Sequence, residues 1–130
     1  MRIMLIIFCL VLIGLSVGCQ PASVDSQLPL QGVAVAGPVC PVESVPPDPA
    51  CDDRPVADAL VIIRDAEGRE VERVRTGADG TFSVSLVPGR YELVPQPVDG
   101  VLGPAASVEV MLGAGGASDP LVLLYDTGIR

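Results

Sequence analysis

An all-β sandwich of about seven short strands is the fold this sequence predicts. Three observations predict it. Runs rich in Val, Ile, Leu and Thr recur along the chain, and turn-forming pairs such as Asp79-Gly80 and Pro88-Gly89 separate them at short intervals. Past the N-terminal apolar run, no segment sustains a helical period.

The elements follow in order. Residues 32–37 (GVAVAG) form a short first strand. Residues 59–64 (ALVIIR) are β-branched and apolar without interruption, which suits a central strand. After the turn DAEG, residues 69–76 (REVERVRT) return with an exposed charged face. In GADG (77–80), Asp79-Gly80 supplies the left-handed backbone that a hairpin needs. Residues 81–87 (TFSVSLV) alternate cleanly: Phe82, Val84 and Leu86 face the core, while Thr81, Ser83 and Ser85 face water. Pro88 and Gly89 then turn the chain into residues 90–96, with Tyr91 and Leu93 inward. Residues 106–112 (ASVEVML) bury Val108, Val110 and Leu112, and after a glycine-rich loop residues 121–126 (LVLLYD) close the fold. Gly80 and Gly89 are read as requirements of backbone geometry, Pro88 as a turn residue, and Phe82 and Tyr91 as core.

Residues 1–18 read as a secretory signal peptide: Met1-Arg2, then an apolar run over residues 3–15 broken only by Cys9 and Gly14. The run is shorter than the roughly 20 apolar residues of a stable membrane helix. LSVGC (15–19) resembles the lipobox of bacterial lipoproteins, in which cleavage falls just before a cysteine that becomes lipidated. The match departs from the usual pattern at Ser16, which holds the place where Leu is common; Leu15 lies one residue further out. Ser16 and Gly18 also suit an ordinary signal peptidase, whose product is a secreted protein. The expectation is a lipid anchor at Cys19 on the extracytoplasmic face, with secretion as its alternative. Residues 19–31 read as a polar, proline-dotted tether reaching roughly 35–40 Å if extended.

Of the four cysteines, Cys9 leaves with the signal and Cys19 is the anchor. Cys40 and Cys51 remain, an even pair in an exported domain, where the compartment is oxidising. A zinc site needs about four protein ligands, and the chain has no histidine. A redox CxxC needs a two-residue gap, which this pair lacks. A disulfide clip is therefore expected, and no metal or cofactor. Glu43, Asp48, Asp52 and Asp53 lack the alternation and central glycine of an EF-hand and read as a solvated acidic loop.

The formal charge is −8, and all eight cationic residues are arginine. That balance disfavours nucleic acid and anionic membrane surfaces, both of which reward clustered basic residues. Without histidine a Ser-His-Asp triad cannot be built from Ser83 or Ser85. No carboxylate pair sits in a recognisable acid–base motif.

The stretch RPVADALVIIRDAEG…TGADGTFSVSLVPGRYELV resembles the carboxypeptidase regulatory-like domain, a β-sandwich of the transthyretin (prealbumin-like) type. Its opening matches at Pro55, Val56, Ala59 and Val61, and its first hairpin at Thr76, Gly80 and Phe82. The second hairpin matches at Leu86, Pro88, Gly89, Tyr91 and Leu93. The resemblance covers about residues 32–125 and implies a prealbumin-like sandwich over residues 32–130, with an accessory role and no enzymatic activity. The Cys40–Cys51 insertion and the tail DTGIR depart from the minimal pattern; Asp126 and Arg130 are available to pair in the tail. Relatives with hydroxyisourate hydrolase activity depend on histidine, and pilin relatives staple themselves with a Lys–Asn bond; this chain has no histidine, lysine or asparagine. The expected function is a non-catalytic, lipid-anchored module that binds or spaces a protein or envelope component. A secreted domain that binds carbohydrate or calcium, or acts as an inhibitor, is the alternative.

Overall fold

The computed structural model describes residues 26–117 and 119–130, so the signal peptide and Cys19 lie outside the described residues. Eight strands form two sheets: β1 (Leu28–Gly37), β2 (Arg54–Pro55), β3 (Leu60–Asp65), β4 (Glu70–Arg75), β5 (Thr81–Leu86), β6 (Gly89–Pro95), β7 (Val108–Leu112) and β8 (Leu121–Asp126). The all-β sandwich expected from the sequence is what forms.

β1 is the centre of the first sheet. It pairs antiparallel with β5 from Leu28 to Val33 and with β2 at Val35 and Ala36. Along its other edge β8 runs parallel, from Gly32 opposite Leu121 to Gly37 opposite Asp126. The second sheet has the order β4-β3-β6-β7, all antiparallel. The apolar run of β3 is indeed internal to its sheet, with Val61 and Ile63 fully buried. β4 is an edge, and its charged side chains Glu70, Glu72, Arg73 and Arg75 blunt that edge against pairing with another chain.

Two expectations are corrected. The chain from residue 28 onward is strand, not tether, because Leu28 and Leu30 alternate with Pro29 and Gln31 and Leu30 is fully buried. β2 is an eighth strand of only two residues, held by β1 rather than by any pattern of its own.

The core lies between the sheets and includes Leu30, Val61, Ile63, Leu93, Leu123 and Tyr125, each fully buried. Phe82, Leu86 and Tyr91 join it, and Thr81, Ser83 and Ser85 are exposed, as the alternation predicts. Gly32 opposes Phe82 across the β1–β5 pair, and a side chain there would run into the Phe82 ring and the Leu121 carbonyl. Thr76 is the one polar residue in the buried set described. Its hydroxyl donates to the Val56 carbonyl at 2.6 Å and accepts from the Ala59 N–H at 2.9 Å, so it ties the β2–β3 crossover to the end of β4. The tyrosines are satisfied too: Tyr91 donates to the Val87 carbonyl at 2.7 Å and Tyr125 to the Gln96 carbonyl at 3.2 Å. Burial raises the pKa of both phenols, and the Asp65 carboxylate adds to the effect at Tyr91.

Gly80 and Gly89 prove unlike. Gly80 has φ +77°, and a Cβ would strike the Ala34 carbonyl, so both backbone conformation and space demand glycine. Gly89 is not in the left-handed region, and a Cβ would make ordinary contact with the Tyr91 ring at 3.6 Å. The expectation for Gly89 is corrected because Pro88 makes the turn and Gly89 is already the first residue of β6, opposite Leu112. Gly80→Ala should therefore lower stability by more than about 1 kcal/mol, and Gly89→Ala by less than about 0.5 kcal/mol, in denaturant melts.

Candidate interaction surface at the cystine pole

The direction of β1 organises the molecule. Ten extended residues carry the chain roughly 30 Å, from Leu28 at one pole to Gly37 at the other. The first pole also holds the β5–β6 turn, since Leu28 opposes Leu86, and the loop from β7 to β8. The second pole holds everything that follows Gly37 and Asp126, because β8 runs parallel to β1 and ends beside it.

At that second pole Cys40 and Cys51 are joined, with their Cα atoms 5.2 Å apart. The sequence brings these two together as expected. The peptide bonds before Pro38 and Pro46 are cis. Every residue from 41 to 50 is exposed, so the loop is closed by the bond and by local polar contacts rather than by the core. Residues Pro49–Cys51 make one 3-10 turn with Asp48 as its cap: the Asp48 side chain accepts from the Ala50 N–H at 2.9 Å. The Asp48 N–H in turn donates to Ser44 Oγ at 2.9 Å. An Asp cap followed by Pro is a helix-start signal that the sequence displays openly.

The tail closes onto this loop. The Thr127 hydroxyl donates to the Pro38 carbonyl, and the Thr127 N–H donates to the Gly37 carbonyl at 3.3 Å. Asp126 accepts from Arg130 Nη2 at 2.9 Å and from the Gly128 N–H at 2.8 Å. The Arg130 hydrogen bond first, then the Gly128 N–H, bring the Asp126 carboxyl down to about 2. A depressed carboxylate adds stability that is present above its unfolded pKa and lost as pH falls through the folded value. The tail contacts should persist as pH falls through 4 and fail near 2, read as the Asp126 carboxyl shift by NMR. Arg130→Ala should move that midpoint up.

The resulting surface mixes carboxylates with bare apolar side chains. Glu43, Asp48, Asp52 and Asp53 are exposed, beside Val42 at 76% and Val45 at 97% exposure. A concavity of about 300 Å³ lies between Glu43, Ser44, Pro47, Asp48, Cys51 and Asp52. Leu102, 70% exposed, reaches the same pole through the β6–β7 connection, where its N–H donates to the Asp126 carbonyl at 2.8 Å. Among the described residues no group of three or more His, Cys, Asp or Glu side chains is placed to hold a metal ion. The other residues singled out in the sequence do not gather here. Gly80 packs against β1 and β2, Phe82 lies in the core, and Pro88, Gly89 and Tyr91 belong to the opposite pole. Leu102 and Thr127 were not legible as members of this surface, since only the long-range pairing of β8 with β1 puts them there.

No family model matches the chain, and neither does any curated protein. Solved structures do match. Shaft pilin SpaA from Lactobacillus rhamnosus GG aligns with a TM-score of 0.56 at 11% identity, over 78% of this chain and 49% of that one. The major pilin SpaD from Corynebacterium diphtheriae aligns at 0.55 and 16% identity, over 78% of this chain and 32% of that one. The Bacillus anthracis TIE protein aligns at 0.51 and 13% identity, over 76% and 17%. The fold is similar to the β-sandwich domains of pilins. This chain spans less than half the length of each of these proteins. Among the described residues no helix is long and apolar enough to cross a membrane.

Proposed function

We propose that this chain is a non-catalytic extracytoplasmic module, held to a bilayer by lipid at Cys19, that presents its cystine pole to a protein or other envelope component. The direction of β1 carries the reading. The segment between Cys19 and Leu28 spans roughly 25–30 Å when extended, so an anchor at Cys19 keeps the Leu28 pole near the bilayer. The same strand delivers the Cys40–Cys51 loop at the far end, pointing outward. Loops on a rigid sandwich commonly carry recognition, and this loop adds exposed valines to an acidic rim. Charge at that rim favours a partner with basic side chains around an apolar contact.

The sandwich is assigned to the carboxypeptidase regulatory-like type. The residues carrying that resemblance support it by their structural roles: Thr76 bonds the crossover at Val56 and Ala59, and Gly80 meets Ala34 and Pro55. These are fold-making positions, in keeping with an accessory module. Fold likeness to pilins supports a structural or adhesive role over a catalytic one.

The anchor is tested directly. One acyl chain holds a protein to a bilayer only marginally, so stable retention requires more than one. Cys19→Ala should move the protein from the detergent-extracted fraction to the soluble one. Mass spectrometry of the wild-type N-terminus should find an acylated Cys19; an unmodified N-terminus would end the anchored reading.

A further inference from the structure

The cystine loop orders its side chains in a way that its closure alone does not require. Every residue from 41 to 50 is exposed, and Val42 and Val45 reach 76% and 97% exposure around Glu43 and Ser44. A residue before proline is pushed to extended backbone, which sets Cys40 and Val45 at the two ends of this stretch. Among the described residues, the peptide N–H and C=O groups of Val42, Glu43, Ser44 and Val45 make no hydrogen bond. Bare side chains on a backbone with free polar groups are what a peptidase cleft takes, adding the segment as a strand.

Composition narrows which peptide bond is presented. The bonds before Pro46, Pro47 and Pro49 lack an amide N–H and resist most endopeptidases. The Ala50–Cys51 bond lies in the 3-10 turn, where the chain is bent. Glu43–Ser44 is the bond midway between the two exposed valines. Ser44 is braced across the loop: its Oγ accepts from the Asp48 N–H at 2.9 Å, and Asp48 caps the turn that ends at Cys51. The remaining glutamates past Cys19 are held differently. Glu70, Glu72, Glu92 and Glu109 lie in strands, and Glu67 sits in the tight β3–β4 turn closed by the Gly68 N–H on the Asp65 carbonyl.

We propose that this loop is a substrate-like inhibitor of a serine endopeptidase that cuts after acidic residues, with Glu43 entering the enzyme's specificity pocket. The proposal deepens the reading of the cystine pole as a recognition surface and rests on it. A pocket that takes Glu43 is basic, which the acidic rim around it complements, and Val42 and Val45 fill apolar subsites on either side. The enzyme's serine hydroxyl adds to the Glu43 carbonyl, the Glu43–Ser44 C–N bond breaks, and the Ser44 nitrogen takes the serine's proton. In an open peptide that amine diffuses away and water completes hydrolysis. Here the Cys40–Cys51 bond and the Ser44–Asp48 contact keep it beside the acyl carbon. It therefore re-forms the peptide intramolecularly, returns the proton and frees the serine. The closed loop is also ordered before binding, so association does not have to order a flexible peptide.

Steady-state inhibition by the purified full chain in detergent tests it, with a Glu-specific serine endopeptidase, an elastase and trypsin as probes. The wild type should inhibit the Glu-specific enzyme at about 1 µM or below and leave trypsin untouched. Glu43→Ala should weaken that inhibition about 100-fold, and Glu43→Arg should transfer it to trypsin. Mass spectrometry should find slow, partial conversion to a species heavier by one water, which separates into two fragments after Glu43 only on reduction. Cys40→Ser/Cys51→Ser, with an unchanged circular dichroism spectrum, should be cut at Glu43–Ser44 as an ordinary substrate and should not inhibit. A wild type that inhibits none of the three enzymes overturns the proposal, as does rapid turnover of its loop or inhibition of elastase with cleavage after Val42. The recognition role of the pole is read apart from this: partner capture abolished by Val45→Asp with no peptidase inhibited would keep the surface and discard the inhibitor.

Discussion

Phe82→Ala should lower the free energy of unfolding by about 3–5 kcal/mol, a large share of what a domain of this size possesses. The ring is 5% exposed and lies over Gly32, where the absence of a side chain makes room for it. β1 and β5 cannot close together to fill the space, because their backbones are fixed by pairing from Leu28–Leu86 to Val33–Thr81. The vacated volume thus remains as a cavity, and the cost includes both lost burial and lost contacts. Ser83→Ala, next along β5 on the exposed face, should change stability by less than about 0.5 kcal/mol. Urea melts of the two variants decide the matter, since equal effects would mean that the two faces of β5 are interchanged. Gly32→Ala serves as the reciprocal: the added methyl meets the same ring, so it too should destabilise, and the double change Gly32→Ala/Phe82→Ala should cost less than the sum of the two.

The alternation in TFSVSL was legible because a strand with one face in the core must write its burial at period two, and β5 does so without exception. The start of β1 was harder to read. Pro29 and Gln31 make the segment look like tether, and only the burial of Leu28 and Leu30 against the other sheet turns it into strand. β2 carries no local signal at all: two residues are strand because Val35 and Ala36 lie beside them. Pro88-Gly89 was readable as a turn, yet the glycine's conformation depends on which residue takes the corner, and proline takes it. The cystine loop shows the same division. Its closure followed from cysteine arithmetic and compartment, whereas its position depends on β8 running parallel to β1, a pairing between residues far apart in the chain. Local chemistry is written in the sequence; which pole a loop occupies is decided by long-range pairing.

Breaking the Cys40–Cys51 bond should cost about 3 kcal/mol or less in global stability, the chain-entropy value for closing so short a loop. The local effect should be larger than that figure suggests. Residues 41–50 are all exposed, so once the bond is cut they are ordered by local contacts: the Asp48 cap, the Ser44 contact, and the turn bonds from the Cys51 N–H to the Asp48 carbonyl and from the Asp52 N–H to the Pro49 carbonyl. Those are exposed hydrogen bonds, each contributing about 1 kcal/mol or less in competition with water. Glu43, Asp48, Asp52 and Asp53 carry like charges in one short loop, which favours its expansion. The hairpins between Asp65 and Leu93 have their own ladders, and none of the loop's hydrogen bonds described above reaches them, so their amide protection should survive reduction. Hydrogen exchange on oxidised and reduced protein separates the two regions. If the loop is the recognition surface, partner capture should fall on reduction by a larger factor than the stability loss implies, because binding then has to order ten freed residues at about 1 kcal/mol or more each. A Cys40→Ser/Cys51→Ser variant should reproduce both results without reductant. Alkylation of the native protein that labels both thiols would remove the bond, and with it this account of how the pole is held.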